Sequence, residues 1–156
     1  MEDKKFLRQT IAMAKENGEA LDGGPFAAII VKEGTVIARG CNHVTPSNDP
    51  TAHAEVTAIR EACRKLGTFL LEGCTIYASC EPCPMCLGAI YWARLSRIVF
   101  AADQHQAAAA GFDDAFIYKE LASDIRHRQL PTLQALREEG NEPLKAWVNN
   151  PLKKEY

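Results

Sequence analysis

The sequence predicts a three-layer α/β sandwich, in which helices cover both faces of a mixed central sheet of about five strands. Two observations predict this fold class. A β-hairpin pattern near the N-terminus is followed by apolar segments that alternate between helical and strand spacing. The 156 residues are also 47% hydrophobic, which is enough for one well-buried core. We therefore expect a single domain over residues 1–156.

The N-terminal two thirds of the chain has a clear signal for each element. Apolar residues on one face predict a first helix that Gly18 ends, and Glu33-Gly34 is the expected hairpin turn. Asp49 or Thr51 is expected to cap the second helix. The remaining predictions, in chain order, are strands 26–32 and 35–40, a helix ending near position 66, a strand at 74–79, a helix at 82–93 and a strand at 97–101.

The last third of the chain has weaker patterns. Residues 112–121 are compatible with a helix and residues 129–136 with a fifth strand. Residues 143–150 are expected to form a final helix, because Pro143 is well tolerated in the first turn of a helix. Residues 138–141 are polar and include a glycine, which is typical of a connecting segment.

The composition restricts the classes of function. Eighteen basic and twenty acidic residues give a net charge of −2, whereas a domain that grips nucleic-acid phosphates usually has a basic surplus. No apolar run approaches the roughly 20 residues that a membrane span needs. The first residues also lack the basic start and apolar stretch of a signal peptide. We therefore expect a cytoplasmic protein that acts on a small molecule and contacts neither nucleic acid nor a membrane.

Four of the six cysteines lie close together, at positions 74, 80, 83 and 86. In a reducing compartment, such a cluster favours metal binding or chemistry over disulfide formation. Cys80, Cys83 and Cys86 form a C-x-x-C-x-x-C run, but an iron–sulfur cluster would need a further cysteine where the chain has Ile90. A structural zinc site that includes Cys80 is an open alternative, and it would leave no position for water.

Two short segments carry a metal-binding pattern. Residues 53–55 are His-Ala-Glu and residues 82–86 are Pro-Cys-Pro-Met-Cys, which matches the H-x-E and P-C-x-x-C signature of zinc deaminases. The two cysteines of the second segment share one face near a helix start, where the positive end of the helix dipole favours the thiolates that zinc needs. The first segment also fits a helix entrance, because residues two apart in a helix interior point to nearly opposite sides.

The residues of this signature predict a hydrolytic deaminase. His53, Cys83 and Cys86 would hold one Zn²⁺ per subunit, and three protein ligands leave a fourth position for a catalytic water. Zinc lowers the pKa of such a water to about 7. Glu55 is expected to take the proton of this water and pass it to the ring nitrogen and the leaving amine. A non-catalytic domain stabilised by zinc is the alternative, and Glu55 argues against it.

Four segments extend the similarity beyond the zinc signature, and they are residues 23–26, 48–55, 80–86 and 111–114. With these segments, its length and the terminal Glu155-Tyr156, the chain resembles the bacterial guanine deaminases of the cytidine deaminase-like fold. The resemblance covers almost the whole chain and is weakest between positions 122 and 141. It implies hydrolysis of guanine to xanthine and ammonia. Transfer-RNA adenosine deaminases share the zinc signature and are the alternative.

The resemblance also implies roles for residues outside the zinc signature. Asn42 would hydrogen-bond the purine, with Phe26 and Trp92 packed near its ring and Ala54 in contact with it. Asp114 would assist proton transfer at the amine. Apart from the resemblance, Phe26 and Trp92 lie in apolar segments, where most aromatic residues belong to the core.

A homodimer is a further implication of the resemblance. The C-terminal segment, about residues 141–156, would exchange between subunits, with residues 138–141 as the hinge. Tyr156 would then help to close the pocket, either in its own subunit or in the other one.

Overall fold

The computed structural model describes residues 2–156 and divides the chain into two compact units. The first unit extends to Ala115, and the second extends from Phe116 to Tyr156. The first unit contains the sheet, whereas the second contains only helices and irregular segments. None of the helices in residues 2–156 combines the length and the apolar character that a membrane crossing requires.

A mixed sheet forms the centre of the first unit. Its strands are β1 (Ala27–Lys32), β2 (Thr35–Cys41), β3 (Cys74–Cys80) and β4 (Arg97–Ala102). Their order in the sheet is β2-β1-β3-β4. Strand β1 pairs antiparallel with both β2 and β3, and β3 pairs parallel with β4. The predicted hairpin and the two later strands are therefore present.

Helices α1 (Glu2–Glu19), α3 (Ala54–Leu66) and α4 (Pro84–Trp92) cover the two faces of this sheet. Two short helices, α2 (Val44–Ser47) and α5 (Gln104–Ala109), lie in the connecting segments. Successive residues of β1 point to opposite faces, so Ile30 clusters with residues of α3 and α4, whereas Ile29 clusters with Phe6 of α1 and Tyr77 of β3. The layers are therefore α1, the sheet, and α3 with α4, as the sequence predicted.

Helix α3 lies against β2 because residue 40 is glycine. A Cβ atom at Gly40 would lie 2.3 Å from Ala54 O and 2.5 Å from Ala58 N, distances that real atoms do not adopt. The backbone of α3 therefore rests directly on the backbone of β2. This contact fixes the first turn of α3, which carries part of the site described below.

Helix α1 is attached to the other face of the sheet by an exposed ionic cluster. One carboxylate oxygen of Asp3 accepts hydrogen bonds from Tyr77 Oη at 2.7 Å and from Arg97 Nη1 at 3.0 Å. The second oxygen accepts from Arg97 Nη2 at 2.7 Å. This bidentate pair joins the start of α1 to β3 and β4.

The second unit has no buried core. It contains most of α6 (Ala115–Ala122), a 3-10 turn (Ile125–His127) and α7 (Arg137–Val148). None of residues 116–156 is buried, and Leu133 and Leu152 are 89% and 90% exposed. The apolar side chains of this unit therefore have little to pack on within it.

Two predictions for the last third of the chain are wrong. Residues 129–136 form no strand, and Pro131 within them lacks the N–H that a sheet requires, so the sheet has four strands in residues 2–156. The last helix begins at Arg137, which places Pro143 in its interior instead of in its first turn. Residues 138–141, the predicted hinge, consequently lie within α7.

The start of the second long helix also differs from its prediction. Helix α3 begins at Ala54 with His53 at the N-cap, whereas Asp49 or Thr51 was expected there. The carboxylate of Asp49 instead accepts hydrogen bonds from Thr51 N at 2.8 Å and from Thr51 Oγ1 at 2.6 Å. These bonds close a local turn before the helix, as Asp side chains commonly do.

Candidate active site

Two helix N-termini bring the predicted metal ligands together. His53 is the N-cap residue of α3, and Cys83 is the N-cap residue of α4. Neither side chain caps its own helix, and both residues have extended backbones. Pro84 fits the first position of α4, where its missing N–H costs nothing. Cys86 follows in the first turn of α4, where it is fully buried.

The distances between the donor atoms fit zinc. His53 Nδ1 lies 3.5 Å from Cys83 Sγ and 3.5 Å from Cys86 Sγ, and all three donor atoms lie within 4.8 Å of one another. Bond lengths of about 2.3 Å to sulfur and about 2.0–2.1 Å to nitrogen separate two tetrahedral ligands of zinc by about 3.5 Å. Two thiols and one imidazole also suit zinc chemically.

Cys80 does not belong to this donor group. Its Sγ donates to the backbone oxygen of Asp103 at 3.6 Å, and the metal-binding group found in residues 2–156 contains only His53, Cys83 and Cys86. The alternative of a closed site with three cysteines and one histidine is therefore not supported. A three-ligand site leaves one tetrahedral position open, which is typical of catalytic zinc.

The two ligand thiols differ in acidity. Hydrogen bonding with Cys86 and with His53 lowers the pKa of Cys83 to about 4, against the opposing effect of burial. The contact with Cys83, together with burial, raises the pKa of Cys86. The pKa of His53 is raised, chiefly by its hydrogen bond with Cys83. The lowered pKa of Cys83 favours the thiolate form that zinc needs, and binding of a cation displaces the remaining protons.

Glu55 lies in the first turn of α3, two residues after the histidine. It is 8% exposed, and its Oε2 accepts a hydrogen bond from Cys86 Sγ at 3.3 Å. Burial raises the pKa of Glu55. The carboxyl group is outside the donor group although it lies beside it. This is the position expected of a proton-transferring group that is not a metal ligand.

A cavity of about 320 Å³ opens next to these residues. Besides the ligands His53 and Cys83, its walls include Phe26, Asn42, Ala54, Glu55, Phe112 and Asp114. The volume lies in the range of small-molecule sites. Five residues predicted from the sequence to act on the substrate therefore surround one cavity beside the metal ligands.

Two of the predicted site residues do not line this cavity. Trp92 is 62% exposed at the end of α4, and the guanidinium of Arg94 lies 5.9 Å from the centre of its ring. Tyr156 is 71% exposed and belongs to the second unit. The roles of Trp92 and Tyr156 at the substrate stay predictions.

Phe112 is a cavity residue to which the sequence assigned no role. Its ring meets that of Phe26 edge to face, with centroids 4.8 Å apart and an interplanar angle of 86°. The only sequence signal was its place in the matched segment at residues 111–114. In the structure it follows Gly111, whose φ is +93°. The two rings form one apolar wall that suits a flat ligand.

Asn42 and Asp114 provide polar groups on the cavity wall. Asn42 is 7% exposed, and its Oδ1 accepts hydrogen bonds from Gly24 N at 3.1 Å and Val44 N at 3.2 Å. Burial and then the negative charge of Cys83 raise the pKa of Asp114. The cavity therefore combines an amide, an aromatic wall and four carboxyl groups, those of Glu55, Glu81, Asp113 and Asp114.

Comparison with known proteins places this site in a family. The cytidine and deoxycytidylate deaminase zinc-binding region matches residues 1–102. Over 156 residues, 100% of both chains, the chain is 54% identical to the guanine deaminase of Bacillus subtilis (strain 168). The X-ray structure of guanine deaminase from Bacillus subtilis aligns with a TM-score of 0.95 over 98% of each chain.

Other relatives match a smaller part of the chain. The tRNA-specific adenosine deaminase of Aquifex aeolicus (strain VF5) is 47% identical over 100 residues, which cover 62% of this chain and 64% of that protein. A structure of guanine deaminase from Nitrosomonas europaea is 36% identical, with a TM-score of 0.66 over 70% of this chain and 63% of that one. The chain belongs to the cytidine and deoxycytidylate deaminase zinc-binding family and is a zinc-dependent deaminase, a hydrolase that acts on C–N bonds.

Proposed function

We propose that the protein hydrolyses guanine to xanthine and ammonia. One observation favours guanine over other bases as the substrate. The similarity to the guanine deaminase of Bacillus subtilis spans the whole chain, whereas the zinc-binding region shared across the family ends at residue 102. Phe112 and Asp114, which line the cavity beside the zinc ligands, lie beyond that point.

The zinc signature supplies the reacting groups. His53, Cys83 and Cys86 would hold a zinc ion, which would act as a Lewis acid and lower the pKa of a water to about 7. Glu55, beside the ligands and on the cavity wall, takes the proton of the attacking water. It delivers this first proton to the ring nitrogen as the new C–O bond forms. It then takes the second proton of the added water and delivers it to the amine, so that the C–N bond breaks and ammonia leaves.

The other cavity residues bind and orient the base. Phe26 and Phe112 hold the flat ring, and Asn42 hydrogen-bonds its edge. Ala54, which lies between His53 and Glu55 in the chain, borders the base. Asp114 assists the departure of ammonia, which its raised pKa and its place on the wall favour.

A substrate comparison tests this function. Purified protein of known zinc content is incubated separately with guanine and with transfer RNA, and xanthine, ammonia and inosine are measured. We expect xanthine and ammonia in equal amounts from guanine, and no inosine. Inosine from transfer RNA without turnover of guanine would replace this proposal with the activity that the Aquifex aeolicus relative is named for.

The protein also acts as a homodimer that exchanges its C-terminal segment. The second unit supports this, because none of residues 116–156 is buried and a segment this short rarely sustains a core alone. The exchanged segment includes residues 141–156. Because residues 138–141 lie within α7, a hinge that precedes this helix is favoured. Tyr156 then reaches the cavity of the other subunit.

The protein acts in the cytoplasm. All six cysteines are free thiols, which suits a reducing compartment.

Mixed dimers test the exchange. Glu55→Gln chains are refolded together with chains that lack residues 141–156. If the tail acts in the other subunit, each mixed dimer has one site with both defects and one intact site, so activity returns. If the tail acts in its own subunit, every site keeps one defect and activity stays at the sum of the two separate samples. A truncated chain that is fully active as a monomer would also contradict the exchange.

A further inference from the structure

Asn17 is a buried polar residue near the end of α1 that lies outside the cavity wall. It is 8% exposed. Its side-chain Nδ2 donates one hydrogen bond to Gly24 O at 2.8 Å and another to Asn42 O at 3.0 Å. The two N–H groups of its amide therefore both donate to backbone oxygens, which belong to different segments. Helix α1 needs neither bond for its own structure.

The two segments held by Asn17 also hold each other. Gly24 N donates to Asn42 Oδ1 at 3.1 Å, and Val44 N donates to the same atom at 3.2 Å. An amide oxygen has two lone pairs, and both are engaged by these backbone donors. The side chain of Asn42 is thereby oriented with its oxygen towards the backbone, and its NH₂ group is the end that can donate to a ligand in the cavity.

Close packing at Gly23 keeps this arrangement in place. Its φ is +146°, and a Cβ atom there would lie 1.9 Å from Asn42 O, the oxygen that also accepts from Asn17. The turn before β1 therefore packs directly against the carbonyl group of Asn42, which also accepts the hydrogen bond from Asn17. A shift of the Asn17 amide must move both the turn and the recognition residue.

We propose that Asn17 is a positioning residue for recognition of the base, acting through Gly24 and Asn42. Its two hydrogen bonds fix the orientation of the Asn42 amide, so that an NH₂ donor faces the bound base. The matching edge of the substrate must then carry acceptors, as the O6 and N7 atoms of guanine do. This inference rests on the proposed function for the identity of that base and for its contact with Asn42.

Substitution of Asn17, compared with a control on the same helix, tests this role. Asn17→Ala removes both donors, and Asn17→Ser keeps one donor on a shorter side chain. Thr10→Val is the control, because Thr10 is fully buried seven residues earlier on α1 but bonds only to Phe6 O and Leu7 O of its own helix. We expect the KM for guanine to rise about tenfold in Asn17→Ala, which corresponds to the loss of about one hydrogen bond between Asn42 and the base. The kcat should change less than about threefold. The KM of Asn17→Ser should lie between those of the unsubstituted protein and Asn17→Ala. Thr10→Val should keep the KM within about twofold of the unsubstituted protein, even if its melting temperature falls as much as that of Asn17→Ala.

A second measurement does not depend on the substrate. Hydrogen exchange followed by NMR reports on the backbone amides of Gly24 and Val44, which donate to Asn42 Oδ1. Their exchange should accelerate in both Asn17 variants and not in Thr10→Val. In the unsubstituted protein, the side-chain NH₂ of Asn17 should itself exchange slowly.

The outcomes separate this inference from the proposed function. If the unsubstituted protein does not turn over guanine but the amides of Gly24 and Val44 respond as expected, the substrate is wrong and the positioning role stands. If guanine is turned over and the KM of the Asn17 variants rises no more than that of Thr10→Val, the positioning role is wrong. Rapid exchange of the Asn17 side-chain amide in the unsubstituted protein overturns it even if neither variant folds.

Discussion

The two units of the chain differ in how their apolar residues are used. In the first unit, the side chains of β1 are buried on both faces of the sheet, and the zinc ligands occupy two helix starts that pack against this core. In the second unit no residue is buried, although it includes several large apolar side chains such as Leu133 and Leu152. The core of the first unit thus supports the candidate site, whereas the second unit leaves large apolar side chains exposed.

Loss of a zinc ligand should have the largest effect and should be confined to the first unit. Cys86→Ser removes one of three donors, so we expect zinc content to fall from about one ion per chain to near zero and deamination to be lost. Plasma mass spectrometry and an ammonia assay on the same sample measure both. Cys80→Ser is the matched control, because Cys80 Sγ faces Asp103 O and lies outside the donor group. Zinc loss in Cys80→Ser would contradict the three-ligand site.

Removal of the proton-transferring carboxyl group should come next. Glu55→Gln keeps the size of the side chain but cannot accept and release a proton, so we expect kcat to fall by about 10²–10⁴. Zinc should stay bound, because Glu55 is outside the donor group. Steady-state kinetics with a zinc measurement on the same preparation distinguishes this result from loss of the metal. Unchanged turnover would show that another group moves the proton.

A pair of glycine substitutions compares the packing of the two units directly. Gly40→Ala places a Cβ atom 2.3 Å from Ala54 O, so the free energy of unfolding should fall by about 1–3 kcal/mol. Gly140→Ala, in α7, meets no atom within 4 Å and should raise stability by up to about 1 kcal/mol through helix propensity. Urea unfolding measures both. A clear loss at Gly140 would contradict the open surroundings of this residue and would call for a measurement of the oligomeric state.

The smallest expected effect is a pH dependence of the α1 attachment. The hydrogen bond with Arg97 holds the pKa of Asp3 below its usual value, so its contribution to stability is present above about pH 4 and is lost as the pH falls through the folded pKa. Burial and the hydrogen bond to Asp3 raise the pKa of Tyr77 to about 12, so that contribution is complete below about pH 10 and is lost between about 10 and 12. Asp3→Asn should lower the Tyr77 pKa, followed by absorbance of the phenolate.

The matched control for this pH effect lies in the second unit. Asp124 also has a pKa lowered by hydrogen bonding, but its partner is Arg126, two residues away. This pair joins no separate elements. Asp124→Asn should therefore leave both the acid limb of the unfolding curve and the titration of Tyr77 unchanged, and a matching loss in this variant would remove the distinction drawn between the two ionic clusters.

Predictions from the sequence were most accurate where a local signal and the core agree. The first hairpin and strand β4 are close to their predicted bounds, because apolar residues at strand spacing end in turn residues there. Residues 129–136 show the opposite case. Their apolar residues suggested a strand, but a strand needs a neighbour with which to pair, and Pro131 lacks the N–H required.

Residue types and their spacing were sufficient to predict the chemistry of the site. His53, Glu55, Cys83 and Cys86 were identified by residue type and spacing, since zinc ligands and a proton carrier must have these functional groups. Sequence spacing also placed them near helix starts, where the positive end of the helix dipole favours the thiolates that zinc needs.

Which other residues lie at the site depends on packing between segments that are far apart in the sequence. This packing places Phe112 against Phe26, turns Cys80 towards Asp103, and links Asn17 to Asn42. None of these pairs is near in sequence, so no local pattern distinguishes them. They depend on how closely helices pack on the sheet, as the glycine at position 40 allows α3 to do. The zinc chemistry can thus be predicted from residue types, whereas the shape of the cavity around it follows from packing.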